Sequence, residues 1–118
     1  MSQHHDAVEA YFQGFRLGDH DAILGLLTEE VIWDLPGRRH LQGKVAFDGE
    51  IEDPAFEGNP VIAIDRLIED GDAVVAVGTG SVTHRRDGAF EFAFCDVFTF
   101  EDDLIARVES YVVPLSPT

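Results

Sequence analysis

The stretch from position 90 to position 100 reads Phe90-Glu91-Phe92-Ala93-Phe94-Cys95-Asp96-Val97-Phe98-Thr99-Phe100. Phenylalanine occupies every second position, except that position 96 carries an aspartate. Because side chains alternate between the two faces of a strand, this pattern predicts a β-strand whose apolar face also carries Asp96. An ionised carboxylate on such a face must be paired, hydrogen-bonded or kept neutral by a raised pKa. Carboxyl groups of this kind are enriched in active sites, although structural ones also occur, so Asp96 is the first candidate for a functional group.

This strand belongs to a series of strand-like segments in the second half of the chain. Residues 61–68, 73–85, 89–100 and 104–113 are rich in apolar and β-branched residues, and short acidic or glycine-containing turns separate them. Turns of this length join neighbouring antiparallel strands. We therefore predict an antiparallel meander. Two glycines on one face of the strand at 73–85, Gly78 and Gly80, indicate a bend or the close approach of a helix or ligand.

The first half of the chain predicts helices. Apolar residues recur at three- and four-residue spacing in residues 2–17, and Gly18 provides a stop. Asp19 is the predicted cap of a second helix that carries Ile23, Leu24, Leu26 and Leu27. A short strand follows at 31–35, and a weaker third helix is predicted at 44–51. Helices followed by a meander are typical of an α+β fold in which the helices cover one face of a curved sheet.

The composition limits the classes of partner. A chain of 118 residues with 45% hydrophobic residues fits a single domain, residues 1–118, with a sizeable core. Its formal net charge of −15 repels phosphate backbones and anionic lipids, so we expect neither nucleic acid nor membrane as a partner. The sequence shows no signal peptide or membrane span, and its single cysteine, Cys95, agrees with a reducing compartment. We therefore expect a cytoplasmic protein.

The order of these elements resembles a known family. It is carried by the helix with Tyr11, the Gly18-Asp19-His20-Asp21 segment, the strand Val31-Ile32-Trp33, the Pro36-Gly37 corner and the final phenylalanine-rich hairpin. Together these are similar to the SnoaL-like and ketosteroid-isomerase-like branch of the nuclear-transport-factor-2-like (NTF2-like) superfamily. The resemblance implies a cone in which three N-terminal helices pack on a curved antiparallel or mixed sheet. It also implies a deep apolar pocket and a homodimer formed through the outer face of the sheet.

The resemblance also implies roles for particular residues. In the steroid isomerases a tyrosine seven residues before the glycine of the Gly-Asp pair donates a hydrogen bond to a developing enolate, and Tyr11 has this spacing from Gly18. The second donor there is a protonated aspartic acid on the penultimate strand, where Asp96 lies. The isomerase general base corresponds to Leu35, while Asp34 is one position earlier. A shift of one residue moves a side chain to the other face of a strand, so Asp34 can serve as the base only if a bulge turns it inward.

The last strand offers another candidate for the base. Arg107, Glu109 and Tyr111 share one face there, and pairing through the short turn is expected to bring them near the face that carries Asp96. SnoaL-like cyclases use an acidic residue late in the fold as their acid/base group, and Glu109 is similar in placement. Arg107 would then pair with Glu109, or would hold Asp96 ionised. The alternative is an ion pair on the strand without any functional role.

Several aromatic and polar side chains are candidates for contact with a substrate, although core packing explains the phenylalanines better, and Trp33 fits either the core or the pocket wall. They are Phe15, Trp33, Phe94, Phe98, Arg107 and Tyr111. Residues 36–42 are interpreted as a loop. The five histidines have no metal-ligand spacing, so no metal is expected, and proton transfer needs no cofactor.

These interpretations lead to a functional hypothesis. We expect a SnoaL-like small-molecule enzyme, an isomerase or a cyclase, that acts by acid/base chemistry on an apolar carbonyl compound in a deep pocket. Asp96 and Tyr11 would stabilise the oxyanion, and Glu109 or Asp34 would move the proton. The alternative is a non-catalytic module of the same fold that binds a hydrophobic ligand or mediates an interaction. A third option is a hydrolase or dehydratase that uses the same polar residues with water.

Overall fold

The computed structural model describes residues 2–115. Within them the elements follow in the order α1 (Gln3–Leu17), α2 (His20–Leu24), β1 (Leu27–Leu35), β2 (Arg39–Gln42), α3 (Lys44–Ile51), β3 (Phe56–Asp70), β4 (Ala73–His84), β5 (Gly88–Glu101) and β6 (Leu104–Pro114). The helices pack against a single six-stranded sheet. The predicted α+β class, with three helices before the final strands, is confirmed.

Helix α1 begins and ends where the sequence predicts. The Ser2 hydroxyl accepts a hydrogen bond from the His5 amide at 3.0 Å, and Gly18 ends the helix with a positive φ of 65°. Its apolar face buries Val8, Tyr11 and Phe12 against the sheet. Among residues 2–115, no helix is long and apolar enough to cross a membrane.

The sheet has the strand order β2-β1-β6-β5-β4-β3. Strands β3 to β6 form the predicted antiparallel meander, while β1 pairs in parallel with β6 and antiparallel with β2. The sheet is therefore mixed. Register shifts interrupt the β1–β6, β3–β4 and β5–β6 pairings, and such irregularities increase the local bend and twist of a sheet.

Two parts of the secondary structure differ from the predictions. Residues 39–42 are strand β2 and not a loop, because the turn after Leu35 folds them back onto β1, where Gln42 pairs with Ile32. A short, polar edge strand has no alternation of apolar and polar residues, so the sequence pattern did not predict β2. Helix α2 is limited to five residues, since β1 already begins at Leu27.

Gly78 and Gly80 allow close packing between neighbouring strands. A Cβ atom at Gly78 would lie 2.2 Å from the carbonyl oxygen of Ala63 on β3, and one at Gly80 would lie 2.5 Å from Cζ of Phe92 on β5. At Gly78 the obstacle is backbone, so a side chain there would force β3 to move, whereas at Gly80 it is the end of the Phe92 ring, with the Val61 carbonyl oxygen 3.1 Å away. The close approach comes from adjacent strands of the sheet, and not from a helix.

Candidate functional site

A cavity of about 640 Å³ lies between the helices and the inner face of the sheet. This volume lies within the range of roughly 300–1,000 Å³ that is typical of small-molecule sites. Its walls are mainly apolar and aromatic, and they include Phe12, Phe15, Trp33, Leu35, Ile51, Ile62, Phe92, Phe94 and Val112. Such walls favour an apolar ligand.

Asp96 is a buried carboxyl group in the wall of this cavity. Its residue is only 8% exposed, and it lies on β5 directly opposite Ser110 on β6. Burial raises the pKa of Asp96 from its ordinary 3.8 to about 7, and a hydrogen bond from Ser110 offsets part of that rise. The sequence correctly identified Asp96 as a carboxyl group on an apolar face.

Trp33 fixes the orientation of the Ser110 hydroxyl. The indole Nε1–H of Trp33 donates to the Ser110 oxygen at 2.9 Å. An indole can only donate, so the Ser110 hydroxyl accepts from Trp33 and keeps its own hydrogen for the Asp96 carboxylate. Sequence reasoning did not find Ser110, because its role depends on which residue of β6 lies opposite Asp96.

Tyr11 lines the same cavity from helix α1. Its ring contacts Phe98 and Phe15, with a ring-centroid distance of 5.0 Å in each case. Burial and the nearby Asp96 charge raise the pKa of the Tyr11 hydroxyl well above its ordinary range. The hydroxyl therefore stays protonated and can donate a hydrogen bond into the cavity. The structure thus brings Tyr11 and Asp96 together in one apolar site.

Glu109 lies on the opposite face of the sheet. It pairs across the strands with Val97, while Tyr111 pairs with Cys95, so both side chains point away from Asp96. The Tyr111 hydroxyl donates to the Glu109 carboxylate at 3.0 Å on this outer face. Neither residue lines the cavity. The prediction that they share a face with Asp96 is wrong.

The reason for this error is a β-bulge in β6. Near the turn, Phe100 pairs with Ile105, but the next residue of β5, Thr99, pairs with Arg107, so Ala106 is an extra residue. A regular hairpin that continued the pairing of Phe100 with Ile105 would place Glu109 opposite Asp96. The bulge shifts the register by one residue and exchanges the faces of the rest of β6.

Asp34 and Arg107 form an outer-face ion pair. The Asp34 carboxylate accepts hydrogen bonds from His40 and from Arg107, and the His40 bond, followed by the Arg107 charge, lowers the pKa of Asp34. Glu109 lies 3.9 Å from the Arg107 Nε atom. Since Arg107 is committed to these carboxylates, the alternative in which it holds Asp96 ionised is contradicted. No bulge turns Asp34 inward, and it is Leu35 that lines the cavity.

The predicted substrate-contacting residues separate into three groups. Phe15, Trp33 and Phe94 line the cavity. Phe98 is fully buried beneath it, where it packs against Tyr11 and is therefore part of the core. Arg107 and Tyr111 lie on the outer face. Within residues 2–115, no group of three or more histidine, cysteine or acidic side chains is arranged to hold a metal ion.

Charged residues surround the mouth of the cavity. Glu50 near the end of α3, Glu52 and Asp53 after it, and Arg85 in the turn that follows β4 all line the cavity. Arg85 Nε donates to the carbonyl oxygen of Pro54 at 2.8 Å, and this hydrogen bond connects the turn after β4 with the segment between α3 and β3. The interior of the cavity is thus apolar, while its mouth is polar and predominantly acidic.

The sequence model of the SnoaL-like domain family matches residues 8–108. The chain belongs to the SnoaL-like domain family. Its helices and mixed sheet have the NTF2-like fold, which agrees with the resemblance described above. No curated protein sequence matches the chain significantly.

Solved structures of this fold include proteins with different activities. A structure of TerC co-crystallised with polyporic acid is 27% identical, with a TM-score of 0.82, over 92% of this chain and 90% of that chain. A proposed polyketide cyclase from Pseudomonas putida KT2440 is 25% identical, with a TM-score of 0.77, over 94% of this chain and 91% of that chain. An LEH-like epoxide hydrolase from M. tuberculosis is 20% identical, with a TM-score of 0.83, over 94% of this chain and 83% of that chain. This last likeness shows the fold alone.

Proposed function

We propose that this SnoaL-like protein is a small-molecule enzyme in which Asp96 transfers a proton at a carbon atom next to a carbonyl group. The observation that carries the proposal is a carboxyl group with a pKa of about 7 in the wall of an apolar cavity. A general acid or base is most effective when its pKa lies near the working pH, because both protonation states are then available. The apolar walls favour an apolar carbonyl compound as substrate.

In the proposed mechanism the ionised Asp96 carboxylate accepts a proton from the substrate carbon. The electron pair left behind moves to the carbonyl oxygen, where the Tyr11 hydroxyl donates a hydrogen bond to the developing enolate. Protonated Asp96 then returns the proton at a different carbon in an isomerisation. In a cyclisation the enolate instead attacks a second carbonyl group of the same molecule, and Asp96 protonates the resulting alkoxide. Ser110 keeps the carboxyl group oriented throughout.

Asp96 serves as both acid and base in this proposal. Leu35 lines the cavity where the resemblance implies the base of a steroid isomerase, and the other cavity carboxylates, Glu50, Glu52 and Asp53, lie at the mouth. In the steroid isomerases the base is a residue other than the aspartic acid of the penultimate strand, and its position is occupied here by Leu35. An acid/base role for Asp96 therefore fits the SnoaL-like cyclases, which use an acidic residue as their acid/base group, better than the isomerases. The likeness to the proposed polyketide cyclase also favours a cyclase.

One observation favours a second candidate function. Leu35 makes the wall of the cavity more apolar where a second catalytic carboxylate would otherwise stand. A non-catalytic protein that binds a hydrophobic ligand would need the cavity but no second titratable group. In that case Asp96 and Tyr11 would orient a polar group of the ligand without moving a proton.

Hydrogen–deuterium exchange at carbon separates the two functions without knowledge of the natural substrate. Enolisable aromatic ketones, such as 2-tetralone, are incubated with the protein in D₂O, and loss of the α-proton signal is followed by NMR. We expect exchange above the rate in buffer, with Asp96→Asn abolishing it and Tyr11→Phe reducing it by about 10²-fold or more, as for loss of an oxyanion donor. Ligands that raise the melting temperature but never exchange would support the binding module and contradict the enzyme.

We also propose that the protein is a cytoplasmic homodimer. Val77, Cys95 and Tyr111 form a continuous row on the outer face of the sheet, and Tyr111 is 45% exposed in the single chain. Val113, beside this row, is 59% exposed. A dimer formed through this face would bury the row. Light scattering coupled to size-exclusion chromatography tests the dimer, and Val113→Asp should then give monomers.

A further inference from the structure

His20 makes two contacts that a neutral histidine cannot satisfy. Its Nδ1 atom lies 2.5 Å from an Asp48 oxygen, and its Nε2 atom lies 2.5 Å from a Glu52 oxygen. A neutral imidazole has one N–H donor and one acceptor nitrogen, and carboxylate oxygens only accept. Both contacts are hydrogen bonds only when His20 is a doubly protonated imidazolium. Loss of one proton would place a nitrogen lone pair against a carboxylate oxygen.

These contacts connect two helices beside the cavity mouth. His20 is the first residue of α2, Asp48 lies within α3, and Glu52 follows α3 directly. Glu52 is also part of the mouth, and Ile51 forms part of the cavity wall. The protonation state of His20 thus acts on the segment that closes one side of the cavity.

We propose that His20 is a proton-dependent latch that holds α3 and Glu52 across the mouth of the cavity. In its charged form the latch keeps this segment in place, and in its neutral form it releases Glu52 or Asp48 and widens access. The inference rests on the proposed function only in that it regulates access to the same cavity. It requires no particular reaction.

Helix α3 has little stability of its own, so a change in one of its contacts can alter its position. It has only eight residues, contains Gly49, and its N-cap residue Gly43 provides no side-chain hydrogen bond. An isolated helix of this length is not stable in water, so α3 depends on its contacts with the rest of the fold. Its firmest anchor is Phe47, which stacks on Trp33 with ring centroids 4.4 Å apart. After Gly49, Ile51 packs against the core from a partly buried position, and the described residues of this segment form no aromatic stack like that of Phe47.

Two other ion pairs hold α3, and the charges of both pairs stay the same near neutral pH. Lys44 lies 3.6 Å from Glu29 at the start of the helix, and Arg39 lies 2.6 Å from Glu50 near its end. Lysine and arginine stay charged far above neutrality. A rise of pH through the neutral range therefore removes a proton from His20 but from neither Lys44 nor Arg39. Of these ion pairs, only those of His20 are weakened.

The charges around His20 favour its protonated form. The side-chain hydrogen bonds with Asp48 and then with Glu52 raise the pKa of His20. On its own helix, Asp19 accepts from the Ala22 amide at 3.1 Å, and Asp21 follows His20 directly. On α1, the Arg16 guanidinium donates to the Ile62 carbonyl of β3 and to Gln13, and no His20 contact with it is formed.

The raised pKa of His20 determines on which side of neutral pH the latch is closed. Because the folded pKa is raised, the latch is closed below the ordinary histidine pKa of about 6.5 and opens as the pH rises through the folded value. We expect opening to make the amide hydrogens of residues 48–52 exchange faster. Access of a ligand to the cavity should become faster as well.

Amide hydrogen exchange tests the latch, in the Asp96→Asn background because Asp96 itself titrates near neutral pH. The His20 pKa is first measured by NMR, and protection factors are then compared at about one pH unit below and above it. Protection of residues 48–52 should fall by about two- to fivefold, the size expected for an exposed ion pair. His20→Gln and Glu52→Gln should remove the difference. The matched control His40→Gln, which changes a histidine paired with a carboxylate on the outer face, should keep it.

Binding of N-phenyl-1-naphthylamine, an uncharged fluorophore, measures access to the cavity in the same proteins. Its association rate should increase over the same pH interval by about two- to fivefold, and this increase should be absent in His20→Gln. Equal protection at the two pH values, or a pH dependence that survives in both His20→Gln and Glu52→Gln, would overturn the latch. A probe that binds at no pH would instead contradict the ligand cavity, and with it the proposed function.

Discussion

Replacement of Asp96 by asparagine should stabilise the protein at alkaline pH. Folding shifts the pKa of Asp96 from 3.8 to about 7, a rise of about 3 units. Each unit corresponds to about 1.4 kcal/mol, so folding disfavours the ionised carboxylate by about 4 kcal/mol. The folded state binds more protons than the unfolded state between these two pKa values, and stability therefore falls as the pH rises through that window. Asparagine has nearly the same shape and never ionises.

The expected result is a pH-dependent difference between the two proteins. Well below the ordinary pKa of 3.8 both side chains are neutral in both states, and the stabilities should be similar. Above about pH 8 the variant should be more stable by up to about 4 kcal/mol, with the Ser110 hydroxyl donating to the amide oxygen. Denaturation in urea at a series of pH values measures this difference and cancels the effect of the other carboxylates.

The control is Asp103→Asn, which removes the same charge from an exposed turn residue. It should change stability by no more than about 0.5 kcal/mol at every pH, as surface substitutions usually do. The reasoning would be refuted by an Asp96→Asn variant that is no more stable than the parent above about pH 8. That result would mean that the folded state stabilises the charged carboxylate, and Asp96 could not then be the neutral-range acid and base of the proposal.

Three further predictions test the network around the cavity. Ser110→Ala removes the hydrogen bond that lowers the pKa of Asp96, so this pKa should rise further when it is measured by NMR. The pH dependence of ketone proton exchange should shift to higher pH with it. An unchanged pKa would contradict the hydrogen bond between Ser110 and Asp96. Phe98→Ala should destabilise the protein by about 3–5 kcal/mol in urea denaturation because the ring is fully buried, whereas a loss of ligand affinity without a loss of stability would indicate a wall residue. Arg107→Gln should leave the pKa of Asp96 unchanged, because the Arg107 guanidinium pairs with Asp34 on the outer face. A clear shift would show that the Arg107 charge acts on the Asp96 carboxyl group across the sheet.

Much of the fold could be predicted from the sequence because its signals are local. The predicted cap Asp19 and the predicted stop Gly18 lie at helix ends as expected, and the alternation of phenylalanine predicted β5. Strand β2 was missed because its pairing partner is set by a turn and not by its own residues. The parallel contact of β1 with β6 joins segments that lie far apart in sequence, and no local pattern encodes it.

The candidate site shows the same division between local and non-local information. Asp96 was identified from its own strand, and Tyr11 from its spacing within the resemblance. The assignment of Glu109 failed because it depended on the pairing of two strands, where one extra residue reverses every face beyond it. Ser110 and His20 could be recognised only from their partners on other elements.

The bulge at Ala106 also determines the chemistry of the cavity. With regular pairing, the Glu109 carboxylate would lie opposite Asp96, and two carboxyl groups would share the apolar interior. The bulge replaces Glu109 with Ser110, which donates a single hydrogen bond and has no charge. It also moves Glu109 and Arg107 to the outer face, so no cation of β6 lowers the pKa of Asp96 again. One inserted residue thus leaves a solitary carboxyl group in an apolar wall, and this isolation is the physical reason why its pKa lies where proton transfer near neutral pH is most effective.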